Sequence, residues 1–97
     1  METIAKTIYQ QLGGNRFAFM VGAKYFAYGD TSLQFRVMRN SNRINCVKIT
    51  LNGVDLYDLE FYWCDKNGCT IKSSFTDVYG DQLQKFFTIA TGLYTSL

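Results

Sequence analysis

Residues 45–63, Asn45-Cys-Val-Lys-Ile-Thr-Leu-Asn-Gly-Val-Asp-Leu-Tyr-Asp-Leu-Glu-Phe-Tyr-Trp63, constrain the fold more than any other stretch. Two β-prone runs meet there at Asn52-Gly53. A two-residue type I′ turn needs positive φ at both central positions, which Asn tolerates and Gly adopts without steric cost. The dipeptide therefore predicts a hairpin in the middle of an antiparallel sheet, with the rest of the chain packed on it. Such a turn sets Leu51 opposite Val54, Ile49 opposite Leu56 and Val47 opposite Asp58, so a carboxylate reaches the core face. Beyond Asp58 the apolar phase moves to Leu59, Phe61 and Trp63. A one-residue slip transfers every side chain to the other face. A β-bulge or sharp coil near Tyr57-Asp58 is expected to restore the phase.

Upstream, Ile4, Ile8 and Leu12 recur at four-residue spacing, which predicts a short amphipathic helix that Thr3 can cap. Gly13-Gly14 ends it, because a helix C-terminus commonly needs a left-handed residue. Arg16–Val21 reads as a strand, Gly22-Ala23 as a turn or bulge, and Lys24–Tyr28 as the next strand. In Ser32–Val37, Leu33, Phe35 and Val37 alternate with Gln34 and Arg36, the pattern of a sheet with one wet face. Arg39-Asn-Ser-Asn-Arg43 is rich in turn formers and predicts an exposed loop. Downstream, Asp65-Lys-Asn-Gly68 predicts a second hairpin into Cys69–Thr76. A last helix is expected to start near Asp77 as N-cap, with Leu83, Phe86, Phe87 and Ala90 as its apolar stripe. Gly92 should end that helix, with Leu93 folded back on its last turn. The whole reads as one α+β domain over residues 1–97: an antiparallel meander of five or six strands between an N-terminal and a C-terminal helix.

Three cysteines, Cys46, Cys64 and Cys69, are an odd number, which argues against a disulfide framework. The start Met1-Glu-Thr-Ile-Ala-Lys6 lacks the basic and apolar stretches of a signal peptide, and no apolar run is long enough for a membrane helix. The expected setting is a cytoplasm, where all three cysteines stay thiols. A four-residue loop would nevertheless let Cys64 and Cys69 face each other. With no histidine and no fourth thiolate, no metal site and no cofactor is expected.

Catalysis is poorly supported. The commonest neutral-pH base, histidine, is missing, and no Ser or Cys has a base at a recognisable spacing. Asp55, Asp58 and Glu60 cluster, but on strands such carboxylates commonly face basic residues such as Lys48 or Lys72. Gly13-Gly14-Asn15-Arg16 resembles an anion loop, yet it follows a helix C-terminus, where the partial charge is negative. The chain therefore reads as a non-enzyme, and two binding classes remain. Residues 1–53 carry seven basic residues against two acidic and the remainder three against six, so balances of +5 and −3 make up the net +2. Arg16, Lys24, Arg36, Arg39 and Arg43 interleave with Phe17, Phe19, Tyr25 and Tyr28, as in sheets that bind single strands. Alternatively, seven tyrosines, Trp63 and the arginines supply the residue types that anchor protein interfaces.

Several stretches resemble a group of small uncharacterised proteins of bacteriophages and bacterial mobile elements. They are Gln11-Leu-Gly-Gly-Asn-Arg-Phe17 with Met20 and Gly22-Ala-Lys24, Arg39-Asn40, Ile49-Thr-Leu-Asn-Gly-Val-Asp-Leu-Tyr-Asp58 with Glu60-Phe61, Val78-Tyr79, Asp81-Gln-Leu-Gln84, and Ala90-Thr-Gly-Leu-Tyr94. The resemblance covers most of the chain and brings no known activity. The group's pattern has Leu-Pro before Arg-Asn where this chain has Val37-Met38, and it need not contain Cys64 or Cys69. By analogy with other phage-type proteins, the resemblance implies a protein-binding module that inhibits a host defence nuclease complex, anti-CRISPR-like. An acidic surface of Asp55, Asp58, Glu60 and Asp65 would then face the nucleic-acid channel of the target. The alternative is direct nucleic-acid binding through Arg16, Lys24, Arg36, Arg39 and Arg43. The sequence carries no signal for oligomeric state.

Overall fold

A computed structural model of the chain describes residues 3–93. Two helices, α1 (Thr3–Leu12) and α2 (Gly14–Val21), precede five strands: β1 (Lys24–Tyr28), β2 (Ser32–Arg36), β3 (Cys46–Leu51), β4 (Tyr57–Asp65) and β5 (Gly68–Val78). A 3-10 turn, Gly80–Gln82, leads into α3 (Leu83–Thr91). The strands form one antiparallel sheet in chain order, so each pairs with its neighbour in sequence and β3 lies at the centre. The capping role expected of the Thr3 side chain, and Tyr94, lie outside what is described.

The central hairpin forms in a different register from the one Asn52-Gly53 predicts. Leu51 pairs with Tyr57, Ile49 with Leu59 and Val47 with Phe61, leaving residues 52–56 as a longer loop. Asn52 organises that loop with its side chain instead of its φ. Its Oδ1 accepts from the backbone N–H groups of Val54 (2.9 Å) and Leu56 (3.1 Å), and its Nδ2 donates to Asp58 (3.0 Å) and Asp77 (2.8 Å). Positive φ falls on Asp55, at 63°, and not on Gly53. The longer loop removes the carboxylate from the core: Tyr57, Leu59 and Phe61 are buried, while Asp58 and Glu60 point to the other face. The β3–β4 ladder is thus unbroken, and no bulge interrupts it. An irregularity does occur beside Tyr57, but against β5, where Tyr57 pairs Val78 and Leu59 pairs Phe75. The extra residue there belongs to β5, in which Asp77 has φ 57°.

Residues expected as a first strand, Arg16–Val21, are helical. Their alternation suits a strand, but Phe17 and Val21 also stand at i and i+4, and a short apolar run fits either period. Packing decides it. On α2, Phe17 lies edge-on to Phe35 of β2 (5.6 Å) and to Phe87 of α3 (5.1 Å), so one ring ties the helices to the sheet. Phe19 is then turned outward, 87% exposed. Gly22 stops α2 in the left-handed region (φ 64°), its N–H donating to Ala18 O, and an added Cβ would stand 2.9 Å from Met38 Cβ. Gly13-Gly14 accordingly ends one helix and opens another, so the sequence-based view of it as only a helix stop is incomplete.

At the C-terminal end, Asp77 is a strand residue and not an N-cap. β5 runs to Val78, which is buried opposite Tyr57, and α3 begins at Leu83 after the 3-10 turn. Leu83, Phe87 and Ala90 are buried, Phe86 packs on Phe75, and Gly92 closes the helix with φ 77°. All three helices cover the sheet face bearing Leu33, Phe35, Val47, Ile49, Leu59 and Phe61. The opposite face stays open and carries Gln34, Lys48 and Glu60 in one cross-strand row. Among the described residues, no helix is long and apolar enough to cross a membrane.

The cysteines depart from the expectation that all three are thiols. Asp65 pairs with Gly68 across a Lys66-Asn67 turn, which sets Cys64 directly opposite Cys69, and the two form a disulfide with Cα atoms 4.0 Å apart. Cys46 is a free, buried thiol.

The loop geometry separates Asn52 from Gly53 in stability. Asn52→Ala should lower the unfolding free energy by about 1–3 kcal/mol, because four hydrogen bonds, two of them part-buried, lose their partner. Gly53→Ala should stay within about 0.5 kcal/mol of the parent, since Gly53 lacks positive φ and has nothing within 4 Å of an added Cβ. Urea denaturation of both variants checks this; a larger loss at Gly53 would restore the two-residue turn.

Candidate functional site

The segment between β2 and β3 is built by asparagines. Asn40 Nδ2 donates to the carbonyls of Met38 (3.1 Å) and Ile44 (2.6 Å), and Asn40 Oδ1 accepts from Ile44 N–H (3.2 Å). Arg43 N–H donates to Asn40 O (3.2 Å), closing a turn in which Arg43 takes φ 57°. Ile44 is 2% exposed and anchors the loop in the core. Asn42 Nδ2 ties the loop to α3 through Ala90 O (2.7 Å). Asn45 bonds Cys64 twice, donating from Nδ2 to its carbonyl (2.7 Å) and accepting at Oδ1 from its N–H (2.8 Å). A short polar side chain can replace a backbone turn partner, which is why asparagine is enriched in such segments.

This loop and the end of β4 enclose an open cleft of about 590 Å³ lined by Arg39, Asn40, Ser41, Arg43, Ile44, Asn45 and Trp63. That volume lies within the usual range for small-molecule sites. The Arg43 guanidinium sits over the Trp63 ring, 5.1 Å from its centroid. Trp63 is half-buried, and its indole N–H points to Asp65 Oδ2 (3.3 Å). The lining contains two cations and no carboxylate, Asp65 touching it only through the indole. Chemically, the cleft offers two guanidiniums to an anion and one aromatic face to a planar group.

Of the five basic residues singled out in the sequence, Arg39 and Arg43 meet in this cleft. Arg36 and Lys24 are register partners at the same end of the sheet, Arg36 pairing Cys46 next to Asn45. Lys24 Nζ lies 5.5 Å from the ring of exposed Tyr25. Arg16 lies on α2, outside the cleft. Of the interleaved aromatics, Phe17 is core, whereas Phe19, Tyr25 and Tyr28 are exposed.

The four acidic residues do not converge. Asp58 and Asp65 are separated by seven strand steps, on the order of 23 Å. Asp55 belongs to the exposed loop. Asp58 accepts from Asn52 and from Asp77 N–H (3.2 Å), and Glu60 is the register partner of Lys48. Asp65 Oδ1 accepts from Asn67 N–H (2.8 Å). Three of the four thus have work within the chain. Among the described residues, no three His, Cys, Asp or Glu side chains group as a metal site would need.

Sequence reasoning named Trp63 only as a residue type that anchors protein interfaces, and it missed Asn40 and Asn45 as site residues. The asparagine-rich loop gave a signal of turns only, and the pairing of Asn45 with Cys64 is visible only once β3 lies beside β4. Comparison with protein-family models, with curated proteins and with solved structures gave no match, so the site is read from its own chemistry.

On the open face and in the core, two phenols resist ionisation. Burial pushes the Tyr57 hydroxyl above the ordinary value of 10.0. Tyr62 is raised chiefly by burial, then by its hydrogen bond to Glu60 and by the charges of Glu60 and Cys46. Because the folded phenols hold their protons longer than the unfolded ones, stability is intact below pH 10 and falls as pH rises past it. Chemical denaturation at pH 8 to 11 should show that decline, and Tyr57→Phe should reduce its steepness.

Proposed function

We propose that the protein is a non-enzymatic binding module that holds single-stranded nucleic acid in the cleft formed by Arg39, Arg43 and Trp63. The observation that carries this is the Arg43 guanidinium stacked on Trp63, with Arg39 in the same carboxylate-free lining. Guanidiniums bind phosphate oxygens in a bidentate fork, and an indole face stacks any unpaired base. An exchange of Arg43 from the ring to a phosphate frees that face for a base. Lys24 and Arg36 extend the positive charge at the same end of the sheet, and exposed Tyr25 offers a further ring.

A second reading is a protein-binding module, an anti-CRISPR-like inhibitor of a host defence nuclease complex in a bacterial cytoplasm. Phe19 and Tyr25, 87% and 75% exposed, favour it, since aromatic and arginine side chains anchor interfaces. The dispersed acidic residues along β4 add little to it.

Fluorescence anisotropy of labelled oligothymidylate, polyadenylate and duplex DNA separates the two readings. Single strands should bind, with affinity falling steeply as salt rises. Trp63→Ala should weaken binding by about 1–3 kcal/mol, and Arg39→Ala with Arg43→Ala should flatten the salt dependence. Glu60→Gln should leave binding unchanged. No anisotropy change at tens of micromolar protein would sink the nucleic-acid reading, and stoichiometric capture of a host nuclease would support the second.

A further inference from the structure

We infer that the Cys64–Cys69 disulfide is a redox-controlled clasp that sets the order of Trp63 and so regulates the cleft. For its ligand alone, this rests on the nucleic-acid reading above. Trp63 is the residue next to Cys64, and its cross-strand partner Thr70 is next to Cys69, so the disulfide closes the hairpin one step from the indole. Asp65, which accepts the indole N–H, lies inside the closed loop and also accepts from Asn67 N–H. On the other side, both amide bonds of Asn45 fasten the cleft loop to Cys64 itself. The disulfide therefore holds the strand end that carries the ring, its hydrogen-bond partner and the anchor of the opposite wall.

Chemical access is uneven across the bond. Cys69 is exposed and Cys64 buried, although both line a shallow hollow of about 220 Å³ on the open face with Cys46, Gln34, Lys48 and Tyr62. A dithiol reductant is thus directed to Cys69. Its thiolate attacks Cys69 Sγ, the S–S bond breaks, and the electron pair leaves on Cys64 Sγ, which takes up a proton. The second thiol of the reductant then displaces Cys69 from the mixed disulfide, leaving two protein thiols and an oxidised reductant. Disulfides in cytosolic proteins commonly serve as such reversible devices. Cys46 does not take part: Gln34 Nε2 donates to its sulfur (3.5 Å), and its register partner is Tyr62, not Cys64.

Trp63 is the single tryptophan, so its emission reports the clasp without any ligand. The full chain would be examined oxidised, reduced with dithiothreitol, and as Cys64→Ser with Cys69→Ser. The expected result is a bimolecular acrylamide quenching constant at least twofold higher in the reduced protein, with the double variant matching it in either buffer. Affinity for oligothymidylate should fall several-fold in parallel, and Cys46→Ala should keep the full redox response. Equal quenching constants in the oxidised and reduced wild-type protein would overturn the clasp, whether or not oligonucleotide binds. A redox-dependent quenching constant without oligonucleotide binding would support the clasp while rejecting the nucleic-acid reading.

Discussion

Asn52 and the register it holds between β3 and β4 determine what the rest of the molecule can bury. With five residues in the loop, Leu51, Ile49 and Val47 meet Tyr57, Leu59 and Phe61, and this row forms the floor on which all three helices pack. A two-residue turn would shift β4 and carry Asp58 and Glu60 toward the helices, at the cost of burying unpaired carboxylates. The asparagine amide prevents that by satisfying backbone N–H groups inside the loop and two carboxylates at its rim. Above the floor, Phe17, Phe35, Phe61 and Phe87 form a chain of ring contacts between 5.1 and 6.2 Å, which joins α2, α3 and the sheet.

The same chemistry recurs at the opposite end of β3. Asn40, Asn42 and Asn45 spend their side chains on carbonyls and N–H groups of Met38, Ile44, Ala90 and Cys64. The asparagine amides carry the side-chain hydrogen bonds that fold the loop, and the Arg43 guanidinium rests on Trp63. A loop tied by its asparagines can thus present its arginines on a fixed backbone, which limits the entropy lost when a ligand is bound. The acidic side chains of β4 are used the other way, in holding turns and facing Lys48.

A division of faces follows. Helices occupy one face of the sheet, the other is open and polar, and the cleft lies where the β2–β3 loop passes the end of β4. The Cys64–Cys69 disulfide stands at that end too, linking the two last strands beside the tryptophan.

The local pattern determined much of this by itself. Leu33, Phe35 and Val37 alternate and are buried; Leu83, Phe87 and Ala90 repeat with helical period and are buried; Gly92 ends the last helix. These hold because period and glycine conformation are local properties. The class of sheet, its meander order and the exposed loop at Arg39–Arg43 were legible for the same reason. Three things required the tertiary structure. Phe17, Phe19 and Val21 fit two periods, and only the ring contacts of Phe17 with β2 and α3 select the helix. Asn52-Gly53 names a turn but not its length, which depends on Asp58 and Asp77, the latter 25 residues from Asn52. Trp63 joins Arg39 and Arg43 only because β4 returns beside β3, and contacts between residues twenty or more apart leave no periodic trace in either segment. Local sequence thus set the elements and most of their faces, and long-range packing set the register, the second helix and the cleft.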